Sequence, residues 1–158
     1  MPAASVLRRA RSSPAQTFVL FPVAVLAADL VRRRPPRIRV PWLAVMAAGY
    51  VFYRAAGSYR HARAGGRGFA SSPQALVTDG PYALTRNPMY AGQLVFLAGL
   101  IGATRSPLAV ALFVRQLARF RARISRDEVR LEALFGDEFR AYRARAPRWP
   151  FVPDGPAH

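Results

Sequence analysis

From Pro14 to Val31 the chain runs 18 residues with one charge, Asp29, and arginines bound the run on both sides. At about 1.5 Å per residue, a helix of that length crosses a hydrocarbon core of roughly 30 Å. Further apolar runs follow at Val40–Tyr53, Pro88–Thr104 and Leu108–Val114, each bordered by arginine. A chain punctuated in this way is constrained to helices that sit in or on a bilayer. The second run, with 14 uncharged residues, also fits a buried helix of a soluble protein. Arg39 and Arg54 can snorkel to lengthen it, and Trp42, Tyr50 and Tyr53 suit the two interfaces.

This segregation accounts for an unusual composition, 52% hydrophobic residues beside a net charge of +16. All 24 basic residues are arginine, a bias that fits a GC-rich coding genome and points to a bacterial inner membrane. Clustered arginine is also the footprint of nucleic-acid binding. Here the arginines flank apolar runs rather than alternate with aromatics on a polar surface, so an anionic lipid surface is the better partner and no nucleic acid is expected. A soluble nucleic-acid binder is the third reading. The absence of Cys removes disulfides, thiolate nucleophiles and Cys metal sites. With His61 and His158 alone, no metal centre is expected.

In order, the chain predicts spans at about 14–31, 38–56, 88–104 and 107–120. Pro22 is expected to kink the first span, and Asp29 to reach the interface. RRRPPRIR, from Arg32 to Arg39, is a basic turn, and Gly57 to Asp79 is a mobile polar connection containing Gly65, Gly66 and Gly68. Gly92, Gly99 and Gly102 would let neighbouring backbones approach the third span. Ser106 and Pro107 have the residue types of an N-cap and first helical position. In the last span, Arg115, Arg119 and Arg123 recur every four residues, with Asp127 on the same face. From Glu128 the spacing of Leu131, Leu134, Phe135, Phe139 and Tyr142 predicts an amphipathic helix interrupted at Gly136. Ser125 to Glu128 also fits a capping box.

The expected fold is therefore all-α: a polytopic membrane protein, a single domain over 1–158, with about four transmembrane helices and a C-terminal cytosolic amphipathic helix. The N-terminal MPAASVLRRARSSP reads as a cytoplasmic flank. Ten arginines follow Val114, which places the C-terminal side in the cytoplasm. Four spans would then put Arg32 to Arg39 outside, so the number and orientation of the first two spans stay open.

Thr78 to Gly92, TDGPYALTRNPMYAG, is polar and rich in turn residues, and it leads straight into the third span. Asn87 and Pro88 could simply start that helix. They do not explain why Tyr82, Arg86, Asn87, Tyr90 and Gln93 gather around a helix N-terminus, where free N–H groups favour an anionic ligand group. GPYALTRNPMYAG resembles the G-x-Y, then R-H-P-x-Y-x-G signature of the isoprenylcysteine carboxyl methyltransferases and the related phospholipid methyltransferases. DEVRLEALFGDEFRAYRARAPRWP is similar to their C-terminal E-E-x-x-L, F-G-x-x-Y-x-x-Y, R-V-P block. The two motifs and the hairpin between them cover Gln74 to Pro150, about half the chain.

The resemblance implies an integral membrane enzyme that binds S-adenosylmethionine without a Rossmann domain, through motifs at 74–92 and 123–148. Carried over by position, Gln74, Ala75, Leu76, Val77, Tyr82, Arg86, Asn87, Pro88, Met89 and Tyr90 would hold the cofactor. Arg123, Asp127 and Glu128 would face the reacting end and the substrate. Asn87 departs from the signature's His, which removes imidazole protonation but keeps hydrogen bonding. Asp127 is one methylene shorter than the usual Glu. The implied function is methyl transfer to a lipid, or to a lipidated or small hydrophobic acceptor, carboxylate or amine, at the cytoplasmic membrane face. A non-catalytic membrane scaffold or partner subunit that keeps the same fold is the alternative.

Overall fold

The computed structural model describes residues 13–33, 38–64 and 74–150. The N-terminal flank, the centre of the RRRPPRIR turn, the glycines Gly65, Gly66 and Gly68, and the tail with His158 lie outside the described residues. Every regular element among the described residues is helical. In chain order these are α1 (Ser13–Val31), α2 (Val40–Ala64), α3 (Pro81–Leu84), α4 (Pro88–Thr104) and α5 (Pro107–Arg145).

Helix α1 is long and apolar enough to cross a membrane, and only 22% of its most apolar window is buried, unlike the core helix of a soluble protein. It is the one described helix that meets this test. Helix α4 is apolar but has 17 residues. In α2 and α5 the apolar stretches run on into arginines, which shortens them as spans. Pro22 does not break α1. A wide π turn over Gln16–Leu20, closed by the Phe21 N–H on the Gln16 carbonyl, leaves Pro22 in the first turn of the α-helical part, where its missing N–H costs little.

Two expected boundaries are corrected. The polar connection begins later than Gly57, because α2 continues to Ala64. Gly57 lies inside that helix, and a Cβ there would fall 3.2 Å from Met89 Cε. Helix α5 is continuous through Ser125 and Glu128, so no capping box forms; the Ser125 hydroxyl instead donates to the Arg121 carbonyl one turn back at 3.2 Å. The interruption at Gly136 is present, with φ 49° and ψ −118°.

The chain divides into two compact units, 1–50 with 92–118 and 51–91 with 119–158. In the first, Phe21, Val25, Phe96, Leu97, Leu100 and Ala109 form the core, with Phe18 edge-on to Phe96 at 4.9 Å. Helices α2 and α4 approach at backbone distance. A Cβ on Gly49 would fall 2.5 Å from the Phe96 nitrogen, and one on Gly99 would fall 2.8 Å from the Met46 nitrogen. Buried polar groups are paired within this unit: Ser13 and Thr17 donate to Gln93 Oε1 at 2.7 and 2.9 Å, and Ser106 donates to Asp29 at 3.3 Å. Asp29 is thus satisfied inside the fold rather than at an interface. Outward, Val19, Val23, Leu30, Val31, Val40 and Val114 remain exposed, a surface that suits lipid.

The second unit has its own core of Ala64, Val77, Tyr82, Phe139, Tyr142 and Ala146. The short helix α3 and the segment that follows it fold onto the end of α5, and this arrangement sets up the candidate site.

Candidate functional site

Thr85, Arg86 and Asn87 join α3 to α4, and all three are fastened to the chain beyond α5. The Arg86 N–H donates to the Pro147 carbonyl at 2.9 Å, and the Thr85 hydroxyl donates to the Arg148 carbonyl at 2.8 Å. The Asn87 amide donates to that same carbonyl at 3.2 Å, while the Asn87 carbonyl accepts the first helical bonds of α4 from Tyr90 and Ala91. Asn87 therefore stands at the expected N-cap position with its side chain turned to the C-terminal segment.

The Arg86 guanidinium donates to Glu128 Oε1 from Nε and Nη2 at 3.2 and 3.0 Å, and to the carbonyls of Arg143 and Ala146 at 3.0 and 2.6 Å. Those carbonyls lie in and just past the last turn of α5, where a cation complements the negative pole of the helix. Arg148 adds a second guanidinium on Glu128, through Nε to Oε1 at 3.3 Å and through Nη2 to Oε2.

Beside this network lies an open cavity of about 130 Å³. Ala75, Leu76 and Val77 line it from the segment before α3; Tyr82, Arg86, Asn87, Pro88, Met89 and Tyr90 line it from α3 and the start of α4. Arg123 and Asp127 line it from α5. The two motifs that the sequence separates by a hairpin thus meet on one cavity. Gln74 and Glu128 do not line it. Gln74 is exposed, with its N–H on the Ala64 carbonyl at 3.1 Å. Adjacent residues on a helix point about 100° apart, and here the two acids part: Asp127 lines the cavity, while Glu128 pairs with Arg86 and Arg148.

At the mouth, Asp127 Oδ2 accepts the Tyr90 hydroxyl at 3.3 Å and lies 3.9 Å from Arg123 Nε. The Tyr90 ring is held against Phe120, with centroids 4.5 Å apart. Arg60, Arg130, Leu131 and Tyr142 complete the lining. Leu131 and Arg130 continue the face of Arg123 and Asp127 at helical spacing, and Tyr142 sits in the C-terminal motif, so all three were within reach of the sequence. Arg60 comes from a distant helix and carries no such signal. Burial pushes the Tyr82 phenol up to about 12. Burial also raises the Tyr142 phenol, whose hydroxyl donates to the Tyr82 carbonyl at 2.7 Å.

This donor set fits S-adenosylmethionine. Guanidiniums suit its carboxylate, Asp127 its ammonium, and Leu76, Val77, Leu131 and the tyrosines an adenosine wall.

The sequence model of the family described as phospholipid methyltransferase matches residues 42–138. The chain is 37% identical over 82 residues to the protein-S-isoprenylcysteine O-methyltransferase of Schizosaccharomyces pombe, covering 49% of this chain and 34% of that protein. It is 35% identical over 79 residues to protein-S-isoprenylcysteine O-methyltransferase B of Arabidopsis thaliana, covering 49% and 40% respectively. With the cobalt-zinc-cadmium resistance protein CzcN of Cupriavidus metallidurans, identity is 36% over 72 residues, 46% of this chain and 33% of that one. The chain thus matches a third to two-fifths of the length of these relatives. No solved structure matches it significantly. With more than half of its residues inside the family's sequence model, the chain belongs to the phospholipid methyltransferase family.

Proposed function

We propose that this protein is an integral membrane methyltransferase that uses S-adenosylmethionine to methylate a lipid or lipidated acceptor. The observation that carries this reading is the meeting of both motifs on one cavity that holds a carboxylate, Asp127, beside Arg60, Arg123 and Arg130. When bound, the cofactor supplies an electrophilic methyl group on a sulfonium. Arg123, with Arg60 and Arg130, would hold its carboxylate, and Asp127, oriented by the Tyr90 hydroxyl, would hold its ammonium. Leu76, Val77, Leu131 and Tyr82 exclude water from the adenosine end. Displacement at a methyl carbon needs donor and acceptor held in line, so positioning supplies much of the catalysis. For an amine acceptor, Asp127 is the cavity carboxylate able to take a proton. Glu128 serves by holding Arg86 and Arg148, which fix the walls.

The same reading takes the chain as one methyltransferase-like domain with four spans at about 14–31, 38–56, 88–104 and 107–120, and the cofactor motifs on the cytoplasmic face of a bacterial inner membrane. The exposed valines and leucines of α1, α2 and α5 support it, as does the arginine excess after Val114. A lipid acceptor would then enter laterally and the cofactor from water. The test is calorimetric binding of S-adenosylmethionine to the full chain in detergent, together with transfer of a labelled methyl group to membrane lipids. Binding that Asp127→Asn weakens, with a labelled lipid product, is expected. No binding by the wild-type chain overturns the proposal, and binding without transfer to any lipid extract returns the scaffold reading.

A further inference from the structure

A second cavity, of about 240 Å³, opens along one face of α2. Tyr53, Arg54, Gly57, Ser58 and His61 line it from the helix, and Met89 closes it from the start of α4. The intervals of three and four residues put Arg54, Gly57, Ser58 and His61 on one helical face. Met89 also lines the first cavity, and it is the one residue that the two cavities share. Its side-chain end rests against the notch of Gly57, where an added Cβ would come within 3.2 Å of Cε.

We propose that this second cavity is the headgroup site of the methyl acceptor, that it takes an amphiphile with an anionic headgroup, and that Met89 is the partition between acceptor and cofactor. The inference rests on the function proposed above. Donor and acceptor atoms must come within about 3–3.5 Å in a methyl displacement. An acceptor seated outside the cofactor cavity must therefore reach it through a shared wall, and that wall is Met89. An unbranched thioether with three rotatable bonds can swing aside where a branched residue could not. The lining residues include no carboxylate. The fixed charge of Arg54, with donors from His61, Ser58 and Tyr53, suits carboxylate or phosphate oxygens. Val51, one turn before Arg54, is 63% exposed and gives an acyl or prenyl tail an apolar path along the same helix.

The test uses the full chain in phosphatidylcholine nanodiscs, with a fluorescent hexadecyl phosphate displaced by palmitate, hexadecyl phosphate or hexadecanol. The two anionic competitors separate carboxylate from phosphate recognition, and the alcohol reports the tail alone. The anionic competitors are expected to bind about tenfold more tightly than the alcohol, the weight of about one charge-assisted contact. Arg54→Gln with His61→Gln, both at exposed residues, is expected to abolish that preference while calorimetric affinity for S-adenosylmethionine stays unchanged. A double variant that still prefers the anions overturns the proposal. So does one that loses cofactor affinity in step, because the groove would then belong to the cofactor site. If the wild-type chain binds no S-adenosylmethionine, the proposed function fails and the acceptor role with it, whereas loss of cofactor-independent anion preference in the wild type sinks the groove alone.

Discussion

Glu128 and Arg86, 42 residues apart in sequence, pair at 3.0 Å with side chains 10% and 3% exposed, and the same carboxylate also takes Arg148. One carboxylate therefore joins the middle of the first motif to the end of the second. Because Arg86 also closes the carbonyl end of α5, loss of Glu128 would leave a buried guanidinium without its counter-charge.

Glu128→Ala should therefore act on stability first. Removing one member of a buried pair costs about 3–5 kcal/mol, whereas removing an exposed partner costs about 1 kcal/mol or less. Thermal unfolding in detergent should show a large loss for Glu128→Ala and a smaller one for Glu128→Gln, which keeps an acceptor for Arg86. Cofactor affinity measured well below the lowered melting point should stay near the wild-type value. A full loss of affinity in still-folded protein would instead place Glu128 in direct contact with ligand.

Asp127→Asn should show the reverse pattern. Its side chain is 48% exposed and its pairing with Arg123 is long at 3.9 Å, so the melting point should barely move. Calorimetric affinity for S-adenosylmethionine should fall about tenfold or more, through loss of a charge-assisted contact to the ammonium.

The contrast between these neighbours marks where the sequence ran short. The apolar runs, the helical class, the approach at Gly99 and the break at Gly136 follow from local pattern and were legible. So was the convergence of residues 75–90 with Arg123 and Asp127. Which of two adjacent acids faces the cavity depends on the rotation of α5 against Arg86 and Arg148, and no local rule encodes that. Gly57 misled because a glycine among arginines reads as a loop, yet Met89 fills its notch. The capping box failed because a Ser-x-x-Glu pattern inside a continuous helix has no free N–H groups to cap. Arg60 reaches the cavity from a helix with no motif of its own.

Two glycines should separate steric from conformational cost. Gly49→Ala forces a Cβ against the backbone of Phe96 and Gly92, at 2.5 and 2.7 Å, and overpacking of this kind costs about 1–3 kcal/mol or more. Gly136 has nothing within 4 Å of an added Cβ, but φ +49° with ψ −118° lies outside the left-handed helical well, so Gly136→Ala should lose about 1–3 kcal/mol from backbone strain alone. Denaturation of the two variants in the same detergent should rank Gly49→Ala as the more damaging, and the opposite order would contradict the close crossing of α2 and α4.

Alkaline pH should weaken the second unit. The Tyr82 phenol is raised by burial from 10.0 to about 12, and Tyr142 is raised in the same direction for the same cause. An unfolded chain ionises these phenols near pH 10 while the folded chain keeps them neutral. Their contribution is therefore complete below pH 10 and is lost as pH rises through about 12. Melting curves across that interval should fall steeply, and Tyr82→Phe should flatten the fall.

Asn87 gives the sharpest test of what its position requires. Its amide donates to the Arg148 carbonyl at 3.2 Å, so the side chain must carry a hydrogen-bond donor. Asn87→Asp replaces that donor with an acceptor facing a carbonyl, and it should lose more than the roughly 1 kcal/mol of one neutral hydrogen bond. Asn87→His restores the residue of the family signature and keeps a ring N–H donor, so its stability should stay within about 1 kcal/mol of the wild type. If imidazole protonation contributes to the chemistry, the His variant alone should gain a pH dependence of methyl transfer near the ordinary histidine range of about 6–7. A flat profile with unchanged rate would assign position 87 to fastening the C-terminal segment and leave proton handling to Asp127.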